Sequence, residues 1–193
     1  MEEKYRQQPG NSLRIVLFGP ESTGKTTMCE QLAKHYKTQW VPEYMREYLQ
    51  AKWDNHKEIC VYEDLLPIAE GQMKLENKLV LEGNKILFCD TNLLELKVYS
   101  EIYYEGKVPE ILNKISLENN YDLYLLTYID IPWVPDDLRD KPNEREEMFF
   151  RFKETLDKYD LPYVTIKGDE MSRLEKAIKV IDQLIYKKRE YNR

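Results

Sequence analysis

The chain has 193 residues, of which 42% are hydrophobic and 33% are charged, so it is long enough for one sizeable soluble domain and short for two. Its net charge of −6 argues against a nucleic-acid partner, which requires a basic surface. No apolar run reaches the roughly 20 residues of a membrane span, and the first residues lack the apolar core of a secretion signal. Three isolated cysteines and two histidines argue against a zinc site and fit reduced thiols, so we expect a cytoplasmic protein without membrane or nucleic-acid partners.

Strand-like apolar runs alternate with helical stretches along the chain. The strands are predicted at LRIVLF, QWV, KILFCD, DLYLLTYID and YVTI. Helices are predicted at residues 25–36, 43–53, 64–82 and 93–104. A last helix carries an apolar stripe of Met171, Leu174, Ala177, Ile178, Ile181, Leu184 and Ile185. This alternation predicts an α/β three-layer sandwich with about five parallel strands and helices on both faces. We expect one domain over residues 13–193 after a flexible arm of residues 1–12.

The first strand is followed by GPESTGKTT, which fits the phosphate-loop pattern GxxxxGK[ST]. Gly19 and Gly24 let the backbone curl so that its N–H groups point at an anion. Lys25 can reach the β- and γ-phosphates of a nucleotide, and the Thr26 hydroxyl suits Mg²⁺. A glycine turn with a solvated lysine is the alternative, but a strand before the loop and a helix after it favour phosphate binding. We therefore predict that ATP is bound by Gly19, Glu21, Ser22, Thr23, Gly24, Lys25, Thr26 and Thr27.

The rest of the sequence distinguishes three possible reactions of the γ-phosphate: hydrolysis by a GTPase switch, hydrolysis by a motor or AAA-type ATPase, and transfer to a substrate. A GTPase needs a guanine-reading NKxD, and NKLV, NKIL and NKIS all lack the aspartate. A motor or AAA-type ATPase usually places a water-activating glutamate after its magnesium-binding aspartate. Here Asp90 can hold magnesium through water, but Thr91 follows it. The sequence thus favours transfer of the phosphate to a substrate over hydrolysis.

The polar stretch DDLRDKPNEREEMF, residues 136–149, precedes a helix and predicts a lid at about residues 134–147. Kinases of small molecules close such a segment over the phosphates, which excludes water and supplies cations. Arg139 and Arg145 are the candidate cations. The alternative is an exposed loop whose arginines pair with neighbouring acids.

Candidate acceptor residues follow the second and fourth strands. Glu43 lies where the second strand ends and can accept the proton of an attacking hydroxyl, or else it caps the next helix. Asp90 is the second candidate for the base. Arg46, one turn on, can orient Glu43 or bind substrate. Trp133, between two prolines, is either a stacking plate or a core residue.

FGPESTGKTT, VPEYMREY, FCDTN, YIDIPWVPDDLRD and VTIKGD in this order resemble the ribosylnicotinamide kinase domain of NadR-like proteins, over residues 13–184. The resemblance implies a nucleoside-kinase-like P-loop fold with a lid, and an enzyme that phosphorylates the 5′-hydroxyl of nicotinamide riboside with MgATP. It implies that Lys25, Glu43, Arg139 and Arg145 are catalytic, and that Gly168 and Asp169 also bind ATP. The substrate would meet Glu43, Tyr44, Arg46, Asn92, Asp130 and Trp133, and Mg²⁺ would be held by Thr26 and Asp90.

The cationic nicotinamide ring suits a crevice of carboxylates and aromatic faces built from Glu43, Asp130, Tyr44 and Trp133. Only a short arm precedes the first strand, so we do not expect the adenylyltransferase domain or the DNA-binding segment of longer members of the family. Two alternatives stay open: a P-loop kinase of another nucleoside or vitamin, and a regulatory ATPase that uses the loop as a nucleotide sensor.

Overall fold

The computed structural model describes residues 2–82, 84–139 and 141–191. In these residues, five parallel strands form one sheet in the order β2–β3–β1–β4–β5. The strands are β1 (Leu13–Phe18), β2 (Trp40–Val41), β3 (Ile86–Asp90), β4 (Leu123–Thr127) and β5 (Tyr163–Ile166). The predicted α/β fold with five parallel strands is confirmed.

Seven α-helices connect or follow these strands in the described part of the chain. They are α1 (Lys25–Tyr36), α2 (Tyr44–His56), α3 (Leu65–Leu81), α4 (Leu93–Tyr103), α5 (Glu110–Glu118), α6 (Arg145–Lys158) and α7 (Glu170–Tyr191). Sequence patterns did not indicate α5, a nine-residue helix whose buried side is Leu112, Ile115 and Ser116. None of the helices among the described residues is long and apolar enough to cross a membrane.

Side chains of β1 alternate between the two faces of the sheet, as the two-residue period of a strand requires. Leu13, Ile15 and Leu17 pack with apolar residues of α1 and α7. Val16 and Phe18 point to the opposite face and pack with α4 and α6. Because both faces are covered, β1 is buried along its whole length.

The strand order brings three polar segments to one edge of the sheet. β1 lies between β3 and β4, with Leu17 paired to Asp90 and Phe18 paired to Leu126. β2 pairs with β3, so the residues after Val41 emerge beside Asp90. Parallel strands all end at the same edge, which is where open α/β sheets bind their ligands.

The apolar stripe predicted for the last helix is confirmed in the middle of α7, but the buried residue in the first turn is not the predicted one. Ala177 and Ile181 are buried against the sheet, as predicted. Met171 is 71% exposed, whereas Arg173, which hydrophobic periodicity cannot select, is only 1% exposed. The first turn of α7 extends past the strands to a region of polar loops. There a guanidinium donates hydrogen bonds to backbone carbonyls, which a methionine side chain cannot do.

The segment before β1 packs against the helices. A short 3₁₀ helix, Glu2–Tyr5, places the Tyr5 ring in an apolar cluster with α3, α4 and α5, where 6% of Tyr5 is exposed. Gln7 donates its side-chain amide to Glu76 at 2.9 Å, and its backbone N–H to Asn119 at 3.2 Å. This packing differs from the flexible arm expected from the sequence, because the aromatic ring and these polar partners anchor the segment.

Replacing Tyr5 by alanine tests whether the segment is anchored. We expect Tyr5→Ala to lower the free energy of unfolding by about 3 kcal/mol, the usual cost of deleting a buried aromatic ring. Tyr186, on α7, is 63% exposed and provides the control, and Tyr186→Ala should change stability by less than about 0.5 kcal/mol. Urea denaturation followed by circular dichroism measures both. Equal stability of the two variants would favour the flexible arm.

Candidate active site

The phosphate loop after β1 has a backbone that only glycine accommodates at two positions. Gly19 has φ 141°, and a Cβ there would lie 2.7 Å from the Thr127 hydroxyl and 3.0 Å from its carbonyl oxygen. Gly24 has φ 81°, and a Cβ there would lie 2.9 Å from Ile131 Cδ1. Both values fall in the left-handed region that disfavours residues with a Cβ. The two glycines of the motif are therefore required by close approach as well as by backbone conformation.

Side chains of the loop brace it from within. Thr23, 1% exposed, shares a hydrogen bond of 2.7 Å with the Thr127 hydroxyl and donates to the Pro20 carbonyl at 2.7 Å. Ser22 also has a positive φ, 56°, and its hydroxyl accepts from the Val134 backbone N–H at 3.0 Å. Of the other residues predicted to bind ATP here, Glu21 is half-buried, and Thr27 is exposed on the first turn of α1.

Lys25 is buried at the start of α1, with 7% of the residue exposed. Its ammonium donates to the Gly19 carbonyl at 2.7 Å and to the Pro20 carbonyl at 3.0 Å. Burial alone would lower the pKa of Lys25, but the charges of Glu95, Glu43 and Asp90 raise it above its usual value. Lys25 is therefore a positive charge within the fold, held by carboxylates and by the carbonyls of the phosphate loop.

Glu95, on the first turn of α4, is the main residue of the site that the sequence motifs missed. Its Oε1 lies 3.1 Å from the Lys25 ammonium, close enough to form an ion pair. Its Oε2 accepts from the Gly19 backbone N–H at 3.2 Å. Burial, and then the charge of Glu43, raises the pKa of Glu95 to about 8 although Lys25 opposes the shift. A lone acid in the apolar run LLELKV was the available sequence signal.

Thr26 and Asp90 meet at the edge of the sheet, as predicted for a magnesium site. The Thr26 hydroxyl donates to Asp90 Oδ2 at 2.5 Å. Asp90 Oδ1 is buried and has no hydrogen-bond partner among the described residues. Burial, followed by the charge of Glu43, raises the pKa of Asp90 to about 7. A buried carboxylate with one unpartnered oxygen beside a hydroxyl fits the oxygen ligands that Mg²⁺ takes in phosphate-transfer sites.

Glu43 occupies the N-cap position of α2, at the edge of the sheet beside Asp90. This is the position of the capping alternative, in which the helix dipole stabilises the carboxylate, although no side-chain capping hydrogen bond of Glu43 is found within the described residues. The charge of Glu43 raises the pKa of both Asp90 and Glu95. The half-buried Glu43 carboxylate therefore interacts with the helix end and with the carboxyl groups of Asp90 and Glu95.

The neighbouring residues of α2 and α4 have mixed roles. The Tyr44 ring packs over Gly71 of α3, where a Cβ would come within 2.0 Å of the ring. Asn92 was predicted to bind substrate, but it is 2% exposed and its side chain accepts from the Glu95 backbone N–H at 3.1 Å and donates to Tyr124. The structure thus gives the Asn92 side chain a helix-capping role, which differs from the predicted contact.

A small pocket with a cavity volume of about 10 Å³, roughly the space of one water molecule, lies between α2, α3 and the start of α4. Met45, Gln72 and Glu95 are among its lining residues. Gln72 itself is tied to the backbone on either side of Glu43, since its oxygen accepts from the Tyr44 N–H at 2.8 Å and its amide donates to the Pro42 carbonyl at 3.3 Å. A small, partly polar pocket therefore lies next to the carboxyl group of Glu95.

The predicted lid lies across the phosphate loop, and residue 140 of this segment is outside the described residues. Arg145 donates to the Ile131 carbonyl at 2.9 Å and to the Ser22 carbonyl at 3.1 Å. Its guanidinium also lies 5.7 Å from the centre of the Trp133 ring. The half-exposed Trp133 is thus not a core residue, and the ring that was expected to stack on substrate here faces Arg145.

Arg139 and Arg46 share one carboxylate of the lid. Arg46 donates to Asp136 Oδ2 at 2.7 Å, and Arg139 Nε lies 3.1 Å from the same oxygen. Arg139 also donates to the Val134 carbonyl at 2.5 Å. The arginine–acid pairing of the alternative is therefore present at Arg139, and the Arg46–Asp136 pair ties the predicted lid to α2.

Asp130 lies with the residues predicted for ATP. Its Oδ2 accepts from the Gly168 backbone N–H at 2.6 Å, and its Oδ1 pairs with the buried Arg173. Asp169 caps α7 by accepting from the Ser172 N–H at 2.8 Å. Both Asp130 oxygens are thus engaged by Gly168 and Arg173, which differs from the predicted contact with the acceptor.

The fold and this site define a P-loop domain of the kind found in nucleoside kinases. Residues 14–173 match the model of a family described as an AAA domain, and the chain belongs to that family. Among curated proteins it is 25% identical over 178 residues to the trifunctional NAD biosynthesis/regulator protein NadR of Escherichia coli (strain K12). It is also 25% identical over 174 residues to the NadR protein of Salmonella typhimurium. The alignments cover 91% and 89% of this chain but only 43% and 42% of those proteins.

Solved structures with the same fold include NadR and a deoxynucleoside kinase. NadR in complex with NR matches with a TM-score of 0.70 and 22% identity, over 90% of this chain and 52% of that one. NadR with NAD and AMP-PNP has a TM-score of 0.71 at 21% identity, over 90% and 50%. Deoxyadenosine kinase from M. mycoides, with products bound, has a TM-score of 0.64 at 15% identity, over 88% of this chain and 99% of its own. These likenesses confirm the kinase-type P-loop fold.

The raised pKa of Glu95 predicts a dependence of stability on pH. Its pKa is about 8 in the folded chain and about 4.5, the ordinary value of a glutamate, when the chain is unfolded. Between these values the folded state binds more protons, so this contribution to stability is complete below about pH 4.5 and is lost as the pH rises towards 8. We expect Glu95→Gln to lose less unfolding free energy than wild type between pH 5 and 8.

Urea denaturation in EDTA without nucleotide at pH 5, 6.5 and 8 measures this slope. Glu154→Gln, which changes a 71%-exposed carboxyl of α6, should keep the wild-type slope. If the free energy of unfolding changed equally with pH in wild type and Glu95→Gln, the Glu95 carboxyl would have an ordinary pKa, contrary to its buried position in the structure.

Proposed function

We propose that this chain is an ATP-dependent kinase that transfers the γ-phosphate of ATP to the 5′-hydroxyl of nicotinamide riboside and so forms nicotinamide mononucleotide. The observation that carries the proposal is the Glu43 carboxylate, placed beside Lys25 and Asp90 at the edge of the sheet. Such a group can take a proton from an acceptor hydroxyl. The residue after Asp90 is Thr91, so the glutamate with which hydrolases activate water is not at its usual position.

In the proposed reaction, the backbone N–H groups between Gly19 and Gly24 and the amino end of α1 bind the phosphates. Lys25 exchanges its bonds to the loop carbonyls for β- and γ-phosphate oxygens, where its charge stabilises the charge developed during transfer. Thr26 and Asp90 would hold Mg²⁺, which supplies further charge neutralisation at the phosphates when bound.

Glu43 is the proposed base. Asp90 is the second candidate, and its pKa of about 7 would suit proton transfer near neutral pH. The Thr26 hydroxyl already bonds to Asp90, which favours a metal-binding role for that carboxylate. Glu43 lacks such a partner at the helix cap, within the part of the chain that the structure describes, and it precedes the residues that line the acceptor-side pocket.

Arg139 and Arg145 are the proposed lid cations. Arg145 reaches the Ser22 carbonyl, so its guanidinium is already at the phosphate loop. Arg139 is held at Val134 and Asp136 by bonds that a phosphate could replace. Because such cations are needed most when charge redistributes, they would contribute mainly to turnover.

The proposed acceptor rests on the relatives and on charge. NadR has been solved with NR, and nicotinamide riboside carries a cationic ring. The charge of Glu43 raises the pKa of both Asp90 and Glu95, which indicates a negative potential that a cationic ring would relieve. Aromatic contact with Tyr44 would contribute roughly 0.5–2 kcal/mol more. Since Trp133 faces Arg145 and Asp130 is engaged elsewhere, these two are weaker candidates for contacting the ring.

A second candidate is a kinase for a deoxynucleoside. The observation that favours it is the match to deoxyadenosine kinase along 99% of that chain. The third, a regulatory ATPase, is favoured by the AAA description of the family. The three differ in which molecule stimulates the consumption of ATP.

We also propose a cytoplasmic location. Cys29, Cys60 and Cys89 are free thiols in the structure, and two of them are buried. Burial raises the pKa of the Cys29 and Cys89 thiols well above its usual value, which makes them unreactive. Unpaired cysteines are typical of proteins in reducing compartments.

An acceptor panel tests the proposed function. Wild-type protein with MgATP should phosphorylate nicotinamide riboside with a kcat/KM at least tenfold above that for uridine or deoxyadenosine, and mass spectrometry identifies the product. The tenfold figure corresponds to about 1.4 kcal/mol of preference, within the range of a cation–π contact. Preference for deoxyadenosine would support the second candidate, and ATP hydrolysis unaffected by any acceptor would support the regulatory ATPase.

Changing Glu43 to glutamine tests the base. We expect Glu43→Gln to lower kcat by about 100-fold or more with whichever acceptor works, because general-base catalysis contributes roughly 10²–10⁴-fold. Glu47, exposed one turn further along α2, provides the control, and Glu47→Gln should keep turnover within about twofold of wild type. Normal turnover in Glu43→Gln would move the base to Asp90.

A further inference from the structure

Arg173 is a buried cation that links three separate segments around the phosphate loop. Its Nη1 donates to the Thr23 carbonyl at 2.7 Å, in the phosphate loop. Its Nε donates to the Gly168 carbonyl at 3.0 Å, in the turn after β5. Its Nη2 donates to the Tyr128 carbonyl at 2.6 Å and pairs with Asp130, just after β4. Only 1% of Arg173 is exposed.

Asp130 completes the connection between these segments. One of its oxygens pairs with Arg173 and the other accepts from the Gly168 backbone N–H at 2.6 Å. Gly168 therefore contacts this ion pair through both its N–H and its carbonyl. Since Gly168 has φ 110° and lies between β5 and α7, the turn is held in one conformation by a charged pair and not by apolar packing.

The position of Arg173 next to the phosphate loop favours a role in nucleotide binding over a role in packing the apolar core. Thr23 precedes Gly24, and a Cβ added to Gly24 would lie 3.8 Å from Arg173 Nη1. Burial, and then the charge of Arg173, lowers the pKa of Arg145, so the two guanidinium groups are close enough to interact. A cation beneath the phosphate loop and a cation of the lid thus flank the same loop.

The chemistry of arginine suits this role. A guanidinium has five N–H donors in a planar fork, and each of its three nitrogens is used here in a different direction. A lysine ammonium could keep the charge and one or two of the contacts, but it could not reproduce this fixed arrangement. The three segments therefore depend on the shape of Arg173 as well as on its charge.

We propose that Arg173 is a positioning residue that couples the turn at Gly168, which we assign to the nucleoside part of ATP, to the phosphate loop at Thr23. The coupling rests on the proposed function, because it assigns that turn to ATP. With Arg173 in place, a nucleotide that contacts the turn also meets a phosphate loop in the binding conformation. Without the coupling, the nucleoside part and the phosphates bind as independent pieces.

Nucleotide binding without acceptor tests the coupling separately from the kinase assignment. We expect Arg173→Lys to raise the Kd of ADP about tenfold and the Kd of inorganic tripolyphosphate less than threefold, both measured by calorimetry with Mg²⁺. Lys176→Met provides the control, since Lys176 lies one turn along α7 and bonds the Thr165 carbonyl at 2.7 Å without reaching the phosphate loop. It should leave both Kd values within twofold of wild type.

The other outcomes each contradict the proposal. Equal weakening of ADP and tripolyphosphate would show that Arg173 only shapes the phosphate loop. Unchanged affinity for both, with or without a lower melting temperature, would show a role in stability alone. If Arg173→Lys does not fold, Asp130→Asn keeps the three backbone contacts and should raise the Kd of ADP about threefold with tripolyphosphate unchanged. An unchanged ratio of the two affinities in Asp130→Asn would equally overturn the coupling.

Failure of the kinase assignment would look different. If nicotinamide riboside is not phosphorylated but Arg173→Lys weakens ADP selectively, the coupling holds for a different nucleotide-dependent reaction. If nicotinamide riboside is phosphorylated and Arg173→Lys retains wild-type KM for ATP while kcat falls with the folded fraction, the function holds and the coupling is wrong.

Discussion

The candidate site depends on the burial of one positive charge, the ammonium of Lys25. Removing an ion from water costs several kcal/mol, so such a group persists only when partners compensate it. Carboxyl groups of Glu95, Glu43 and Asp90 surround it, together with the Gly19 and Pro20 carbonyls. Burial and the charge of Glu43 raise the pKa of Asp90 to about 7 and that of Glu95 to about 8, so both carboxyls take up protons near neutral pH. A positive charge placed beside them would favour their ionised forms, because a nearby cation lowers the pKa of a carboxyl group.

The order of the strands is what brings these groups together. Lys25 follows β1, Asp90 ends β3 and Glu43 follows β2, and these three strands are adjacent in the sheet. Sequence separations of 18 to 65 residues are thereby reduced to the spacing of neighbouring strands. Because the strands are parallel, the three groups meet at one edge of the sheet. The strand order thus determines which charged groups interact in the site.

The sequence predicts the parts of this site that belong to local patterns. The five strands, most of the helices and the phosphate loop were predictable, because a short apolar run followed by glycines and a helix is a local signal. Thr26 and Asp90 were predicted as joint magnesium ligands from their motifs, and the structure brings the two side chains into a hydrogen bond, while the metal itself stays a prediction.

Buried charged residues were not predictable in this way. Glu95 and Arg173 lie in helices that were predicted from the spacing of their apolar residues. That spacing gives no information about a charged side chain whose hydrogen-bond partners are backbone groups far away in the sequence. Asn92 and Asp130 were predicted to bind substrate from their place in a motif, but their partners are a helix end and a buried arginine. The packing of Tyr5 likewise depends on a cluster formed by α3, α4 and α5, and α5 was itself not predicted.

The two arginine networks around the phosphate loop differ in how easily they can break. Below the loop, Arg173 is 1% exposed, so separating it from Asp130 would leave a buried charge without its partner. Above it, Arg46 is 40% exposed and Asp136 is 23% exposed, and an ion pair in contact with water contributes only about 0–1 kcal/mol. Separating Arg46 from Asp136 therefore costs little, whereas moving the turn at Gly168 relative to the phosphate loop costs much. A rigid floor beneath a segment that is weakly tied to α2 would suit the proposed kinase, which must admit an acceptor and then exclude water.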